Sequence, residues 1–140
     1  IAPNLRNGIW VLSDRFHDST RAYQGLTGGV DDKLIAGLES LALDGHTPDL
    51  TIVLDMDPEA AFKRVAERAI EDGLALTGDR FEKEELDWHK RLREGFLAIA
   101  RDNPERCVVI SAAQSEDALE AAIWHAVSQR FPELLRGSQA

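Results

Sequence analysis

A single cysteine, Cys107, stands in the 140 residues, inside the apolar run "CVVI". One cysteine closes no intrachain disulfide, and this setting is that of a buried small hydrophobe rather than an activated thiol. Such usage points to a reducing cytoplasm. Long apolar runs are also missing: none approaches the ~18 residues that a bilayer span needs. No stretch reads as a signal peptide, so no membrane partner is expected. Basic charge is in deficit, with 16 Lys and Arg against 25 Asp and Glu and a net charge of −9. A nucleic-acid duplex would be repelled over most of such a surface, so no nucleic-acid partner is expected. An anionic small molecule remains compatible wherever basic residues gather locally. His17, His46, His89 and His125 show no metal-ligand spacing, and neither H-E-x-x-H nor C-x-x-C occurs. No Gly-Lys pair occurs anywhere, so the glycines of "QGLTGG" are a turn and not a Walker A loop, G-x-x-x-x-G-K-[ST].

What is present reads as one soluble globular domain over residues 1–140, with 44% hydrophobic and 29% charged residues, enough for a single core. "IAPNLRNGIW" looks like the tail of a helix closing at Asn7-Gly8, an opening in mid-element that suggests a fragment. "IWVLS" (9–13) predicts a buried strand. In "VDDKLIAGLESLALDG", Leu34, Leu38 and Leu41 share one helical face, as do Ile35 and Ala42, and Gly45 ends the helix. "DLTIVLDM" (49–56) predicts a second strand, after which Asp57 caps a helix with Pro58 at its first position. Residues 69–80 have a weak pattern and two glycines and read as a lid-like excursion. A long amphipathic helix follows from Glu82 to Arg101, with Leu86, Leu92, Phe96 and Ile99 on one side. "CVVIS" (107–111) is a third strand, and Ser115 caps a last helix with Leu119, Ala122, Ile123 and Ala126 inward. Trp10, Trp88 and Trp124 read as core or interface packing, and His89 as packed. Apolar strands separated by helices imply βαβ crossovers and a parallel sheet covered on both faces.

Ligands of open parallel sheets bind beyond the carboxyl ends of the strands. Three segments emerge there: residues 14–25, the Asp55–Asp57 turn and the loop at 111–115. Asp55 and Asp57 most simply end a strand and cap a helix. In "SDRFHDSTRAYQG" (13–25), Arg15 can present a planar fork to a phosphate, with Asp14 beside it. Ser19 and Thr20 are placed to cap a helix whose N-terminus favours an anion. Tyr23 and Gln24 follow one turn later. The same residues also suit a surface ion pair and a plain cap, and spacing alone leaves both readings open. Lys63, Arg64 and Arg68 lead into the excursion and Arg80 closes it. They suit either a clasp on a polyphosphate or a solvated helix paired with Glu67 and Glu71.

With these residues in view, the chain resembles bacterial thymidylate kinase (dTMP kinase). "SDRFHDSTRAYQG" is similar to that family's DR[YFH]…ST.AYQG segment, "TPDLTIVLDMDPEAAFKR" to its PDLT..LD…PE…LKR, and "GDRFE" to the DR[IFY]E that closes its lid. The resemblance implies a three-layer parallel α/β sheet of the P-loop nucleoside monophosphate kinase type. That sheet would be incomplete here, with about three strands present. Implied roles put Arg15 on the dTMP phosphate, Asp14 near the metal and phosphates, and Ser19, Thr20, Tyr23 and Gln24 around the nucleoside. Arg64, Arg68 and Arg80 are similar to lid arginines that clasp the ATP phosphates, and Ala112, Ala113 and Gln114 stand where the family packs adenine. Asp14, Arg15, Arg68 and Arg80 are thereby the implied catalytic set. The implied activity is phosphorylation of dTMP by ATP with Mg²⁺, in a cytoplasmic homodimer. The family's opening strand, Walker A loop and helix have no counterpart, so the chain is similar to its C-terminal two-thirds and alone is expected to be inactive. Two other readings stay open: another nucleotide or deoxynucleoside kinase, and a truncated non-catalytic domain that binds a nucleotide or a partner.

Overall fold

The computed structural model describes residues 1–72 and 83–133. They divide into two compact units, Ile1–Pro48 and Asp49–Ala140. In the first, helix α1 (Ala2–Arg6) closes at Asn7, and Gly8 turns the chain with φ 69°. Helix α2 (His17–Thr20) runs without a break into a π-helical turn at Arg21–Leu26, and α3 (Asp32–Leu43) follows. Asp31 caps α3 by accepting from the amides of Lys33 and Leu34, and Asp44 and Gly45 end it at positive φ.

The predicted strand at 9–13 is not formed. The first unit holds no strand among the described residues, and an extended segment becomes a strand only where a ladder partner takes its amides and carbonyls. Ile9, Trp10 and Leu12 are accordingly 50%, 58% and 100% exposed. The first unit is instead held by α3 against the π-helical turn. Ala22 and Ile35 are buried there, while Leu34, Leu38 and Leu41 face outward. Glu39, also buried, receives the fork of Arg21: Nε lies 2.9 and 2.8 Å from its two oxygens, and Nη2 lies 2.6 Å from Oε2.

The second unit contains β1 (Thr51–Asp55), α4 (Pro58–Glu71), α5 (Lys83–Asp102), β2 (Cys107–Ser111) and α6 (Glu116–Arg130). Among the described residues the sheet is two-stranded and parallel, with Thr51 opposite Cys107 and Asp55 opposite Ser111. The α/β class with a parallel sheet holds, with two strands rather than three. Helix α5 packs on both strands and α6 on β2. Leu92, Ile99 and Ala100 of α5 join Cys107 and Ile110 of β2 in a small buried core. His89 packs edge-on against Phe62 and Trp88, with ring centroids 5.1 and 4.9 Å apart. Trp124, expected in a core or an interface, is more than half exposed and so is not core. In this unit the two caps read from the sequence are made: Asp57 accepts from the amides of Glu59 and Ala60, and Ser115 from that of Ala118. The predicted excursion begins inside α4, which continues to Glu71; its remainder, with Arg80 and the "GDRFE" motif, lies outside the described residues.

Candidate functional site

In the first unit, Arg15 adopts φ 68°, a left-handed conformation that is uncommon for a side chain of its size. The Ser13 hydroxyl donates to its carbonyl at 2.8 Å and steadies this turn. The guanidinium then swings back onto Tyr23: its carbon lies 4.7 Å from the ring centroid, and Nη2 donates to the phenol oxygen. An aromatic face and a hydroxyl together fix the direction of the fork. Arg15, Asp14 and Gln24 are exposed and Tyr23 is half-buried, so this end of the unit offers charge, hydroxyl and amide groups to solvent.

The helix that carries Tyr23 begins at His17, so Ser19 and Thr20 lie within it and cap nothing. Its cap position is Phe16, which has no side-chain oxygen to offer. His17 and Asp18, both buried, approach to 3.4 Å. The π-wound end is closed by Thr27, whose hydroxyl donates to the carbonyls of Ala22 and Tyr23 at 3.0 and 2.9 Å. The glycines of "QGLTGG" terminate this helix as a turn: the amides of Gly29 and Val30 donate to the carbonyls of Gly25 and Gln24 at 3.0 and 2.8 Å.

In the second unit, the expected groups from α4 and the 112–114 loop do come together at the carboxyl ends of the strands. Arg64 Nη1 donates to the Ala112 carbonyl at 3.3 Å. Met56, Lys63, Arg64, Glu67, Ala113 and Gln114 line an open cleft of about 340 Å³. Gln114 folds back to donate to the Ser111 carbonyl at 2.7 Å, which shapes the loop. Arg68 lies 3.2 Å from Glu116 at the start of α6, with Arg64 4.0 Å from the same oxygen. The local partners expected for these arginines are thus replaced by one distant carboxylate, and only Lys63 takes its neighbour Glu67, at 3.8 Å.

One participant has no signal in the local sequence. Arg93 of α5 lays its guanidinium on Asp55 at 2.7 and 2.9 Å, and also reaches Asp57 at 3.4 Å. The Arg93 hydrogen bond holds the Asp55 carboxyl below its ordinary pKa, against the smaller opposing effect of burial. A carboxylate ending a half-buried strand is favoured by a nearby donor, which is the one sequence clue that a distant arginine would be found there.

No three His, Cys, Asp or Glu side chains are gathered into a metal cage among the described residues. Mg²⁺ dehydrates reluctantly and is commonly held by substrate phosphates, water and one or two carboxylates. The exposed carboxylate of Asp14 is compatible with a magnesium held mainly by phosphate and water. No described helix is long and apolar enough to cross a membrane.

The family model described as "Thymidylate kinase" matches residues 1–123. The thymidylate kinase of Bradyrhizobium diazoefficiens is 45% identical over 131 residues, covering 94% of this chain and 56% of that protein. That of Rhodopseudomonas palustris is 44% identical over 136 residues, covering 97% and 57%. The crystal structure of thymidylate kinase from Ehrlichia chaffeensis superposes with a TM-score of 0.65 at 27% identity, over 90% of this chain and 56% of that one. The chain therefore spans little more than half the length of the curated relatives it matches. Within that span the Asp-Arg turn, the tyrosine behind it and the strand-end cleft sit on a sequence and a backbone that belong to the thymidylate kinase family.

Proposed function

We propose that these residues form the part of a thymidylate kinase that binds dTMP and clasps ATP, and that the full-length form converts dTMP and ATP to dTDP and ADP. The observation that carries this reading is the Asp14–Gln24 segment folded so that Arg15 lies on Tyr23. Arg15 grips the dTMP phosphate, with Asp14 beside it, while Ser19, Thr20, Tyr23 and Gln24 line the nucleoside. Arg64, Arg68 and Arg80 neutralise the ATP phosphates, and Ala112, Ala113 and Gln114 pack the adenine. Magnesium enters with ATP, and the enzyme works as a cytoplasmic homodimer.

An oxygen of the dTMP phosphate attacks the γ-phosphorus, and the bond to the β–γ bridging oxygen breaks, leaving ADP. Little covalent work falls to the protein: it aligns the two phosphates and offsets their charge. The planar forks of Arg15 and the α4 arginines suit that task better than flexible ammonium groups.

ADP release by the full-length form, with Mg²⁺-ATP and an acceptor panel of dTMP, dUMP, dCMP and thymidine, tests the reading. Preferred turnover of dTMP is expected. Faster turnover of another acceptor would make the chain a different nucleotide or nucleoside kinase. No turnover with any acceptor would leave a binding domain.

A further inference from the structure

The carboxyl end of β1 is tied down by a residue to which the proposed reaction gives no part. Arg93 forks onto both oxygens of Asp55 at 2.7 and 2.9 Å, and its remaining nitrogen lies 3.4 Å from Oδ2 of Asp57. Each of these aspartates has a second engagement. Asp57 uses Oδ1 to cap α4, accepting from the amides of Glu59 and Ala60 at 3.0 and 3.3 Å. The Asp55 carbonyl accepts from the Ala112 amide at 2.7 Å. One guanidinium therefore sits where the strand end, the start of α4 and the start of the 112–114 loop converge. Arg64, further along α4, closes the circuit by donating to the Ala112 carbonyl at 3.3 Å.

Packing of α5 does not call for this arrangement. Its buried residues Leu92, Ile99 and Ala100 already seat the helix, whereas Arg93 and Asp55 keep 32% and 20% of their side-chain surface in water. A partly solvated ion pair adds little stability, yet its bidentate geometry fixes direction. Here that direction is imposed on both edges of the cleft.

We infer that Arg93 is a positioning residue for the nucleotide end of the site, holding α4 and the 112–114 loop at the spacing that lets Arg64 and Gln114 face one ligand. The inference rests on the proposed assignment of that cleft to ATP. It requires the fork, so lysine does not replace it.

The test uses Arg93→Gln, Arg93→Lys and Asp57→Asn in the full-length form. Asparagine caps helices as well as aspartate does, so the last variant isolates the contact to Arg93 and remains informative should Arg93→Gln not fold. Steady-state kinetics are read beside hydrogen exchange of the Ala112 amide. The expected result for both Arg93 variants is an ATP KM raised about tenfold, a dTMP KM within about twofold, and faster exchange at Ala112. Asp57→Asn should raise the ATP KM in the same direction by less. A fall in kcat with both KM values unchanged means a smaller folded fraction and overturns the inference. Faster exchange at an unchanged ATP KM overturns it too, while leaving the kinase reading intact. Should the unmutated form phosphorylate no dTMP, the kinase reading fails by itself. Unchanged Ala112 exchange in the Arg93 variants would separately refute the tie.

Discussion

At Asp55 the hydrogen bond from Arg93 makes a carboxylate into a pH-sensitive strut. Its folded pKa lies below the ordinary value, so its stabilising contribution is present above the unfolded pKa of ~3.9 and is lost as pH falls through the folded value. Thermal melting of Asp55→Asn should therefore show a shallower loss of stability below that pKa than the parent. An identical acid limb would mean that Arg93 does not favour the charged form. Lys90 has the opposite sign: its hydrogen bond to Glu59 raises its pKa, and this contribution is lost only as pH climbs through the raised value. Arg21 and Glu39 form the tighter pair, since Glu39 is 6% exposed. Arg21→Ala leaves that carboxylate buried without its fork and should destabilise the chain by about 1.5–3 kcal/mol in denaturant titration. Lys63→Ala, which removes an exposed pair, should change stability by less than about 0.5 kcal/mol.

At the level of the element, two glycines separate a conformational requirement from a mere absence of side chain. A Cβ on Gly28 would stand 2.7 Å from the Gln24 carbonyl oxygen and 2.8 Å from that of Tyr23. Gly28→Ala should therefore displace the turn behind Tyr23 and lower stability by about 1–3 kcal/mol, measurable by chemical denaturation. Gly37 lies in the interior of α3, and a Cβ there meets nothing within 4 Å. Gly37→Ala should raise stability by roughly 0.5–1 kcal/mol through helix propensity and a less free unfolded chain. The same contrast explains what the sequence disclosed. Caps at Asp57 and Ser115 and the strand at Cys107–Ser111 depend on neighbouring residues, and each is found where the pattern puts it. The run at 9–13 carries an equally good strand pattern, but a strand exists only with a partner, and its unit supplies none among the described residues. Helix α3 reads as amphipathic, yet its buried residues are Ile35 and Glu39, the latter holding the Arg21 fork.

On the scale of the whole molecule, sequence motifs name candidate residues but not the contacts that support them. Arg15 and Tyr23 are eight residues apart, and the bend before α2 folds one back onto the other. The contacts of Arg93 with Asp55 and of Arg68 with Glu116 join positions 38 and 48 residues apart, and no periodicity reaches that far. The candidate groups fall in two compact units, with Arg15, Tyr23 and Gln24 in one and Arg64, Arg68 and the 112–114 loop in the other. In-line transfer needs the two phosphates aligned to within fractions of an ångström, and a cradle of backbone amides and a lysine around the β- and γ-phosphates. The 140 residues contain no G-x-x-x-x-G-K-[ST] to make that cradle. A chain of these residues alone should thus release ADP from ATP and dTMP at least about a thousandfold more slowly than the full-length form. Side-by-side assays at equal folded concentration decide it. Rates within tenfold of each other would mean that the arginines and amides present here already hold the γ-phosphoryl group, and the division of labour argued above would have to be abandoned.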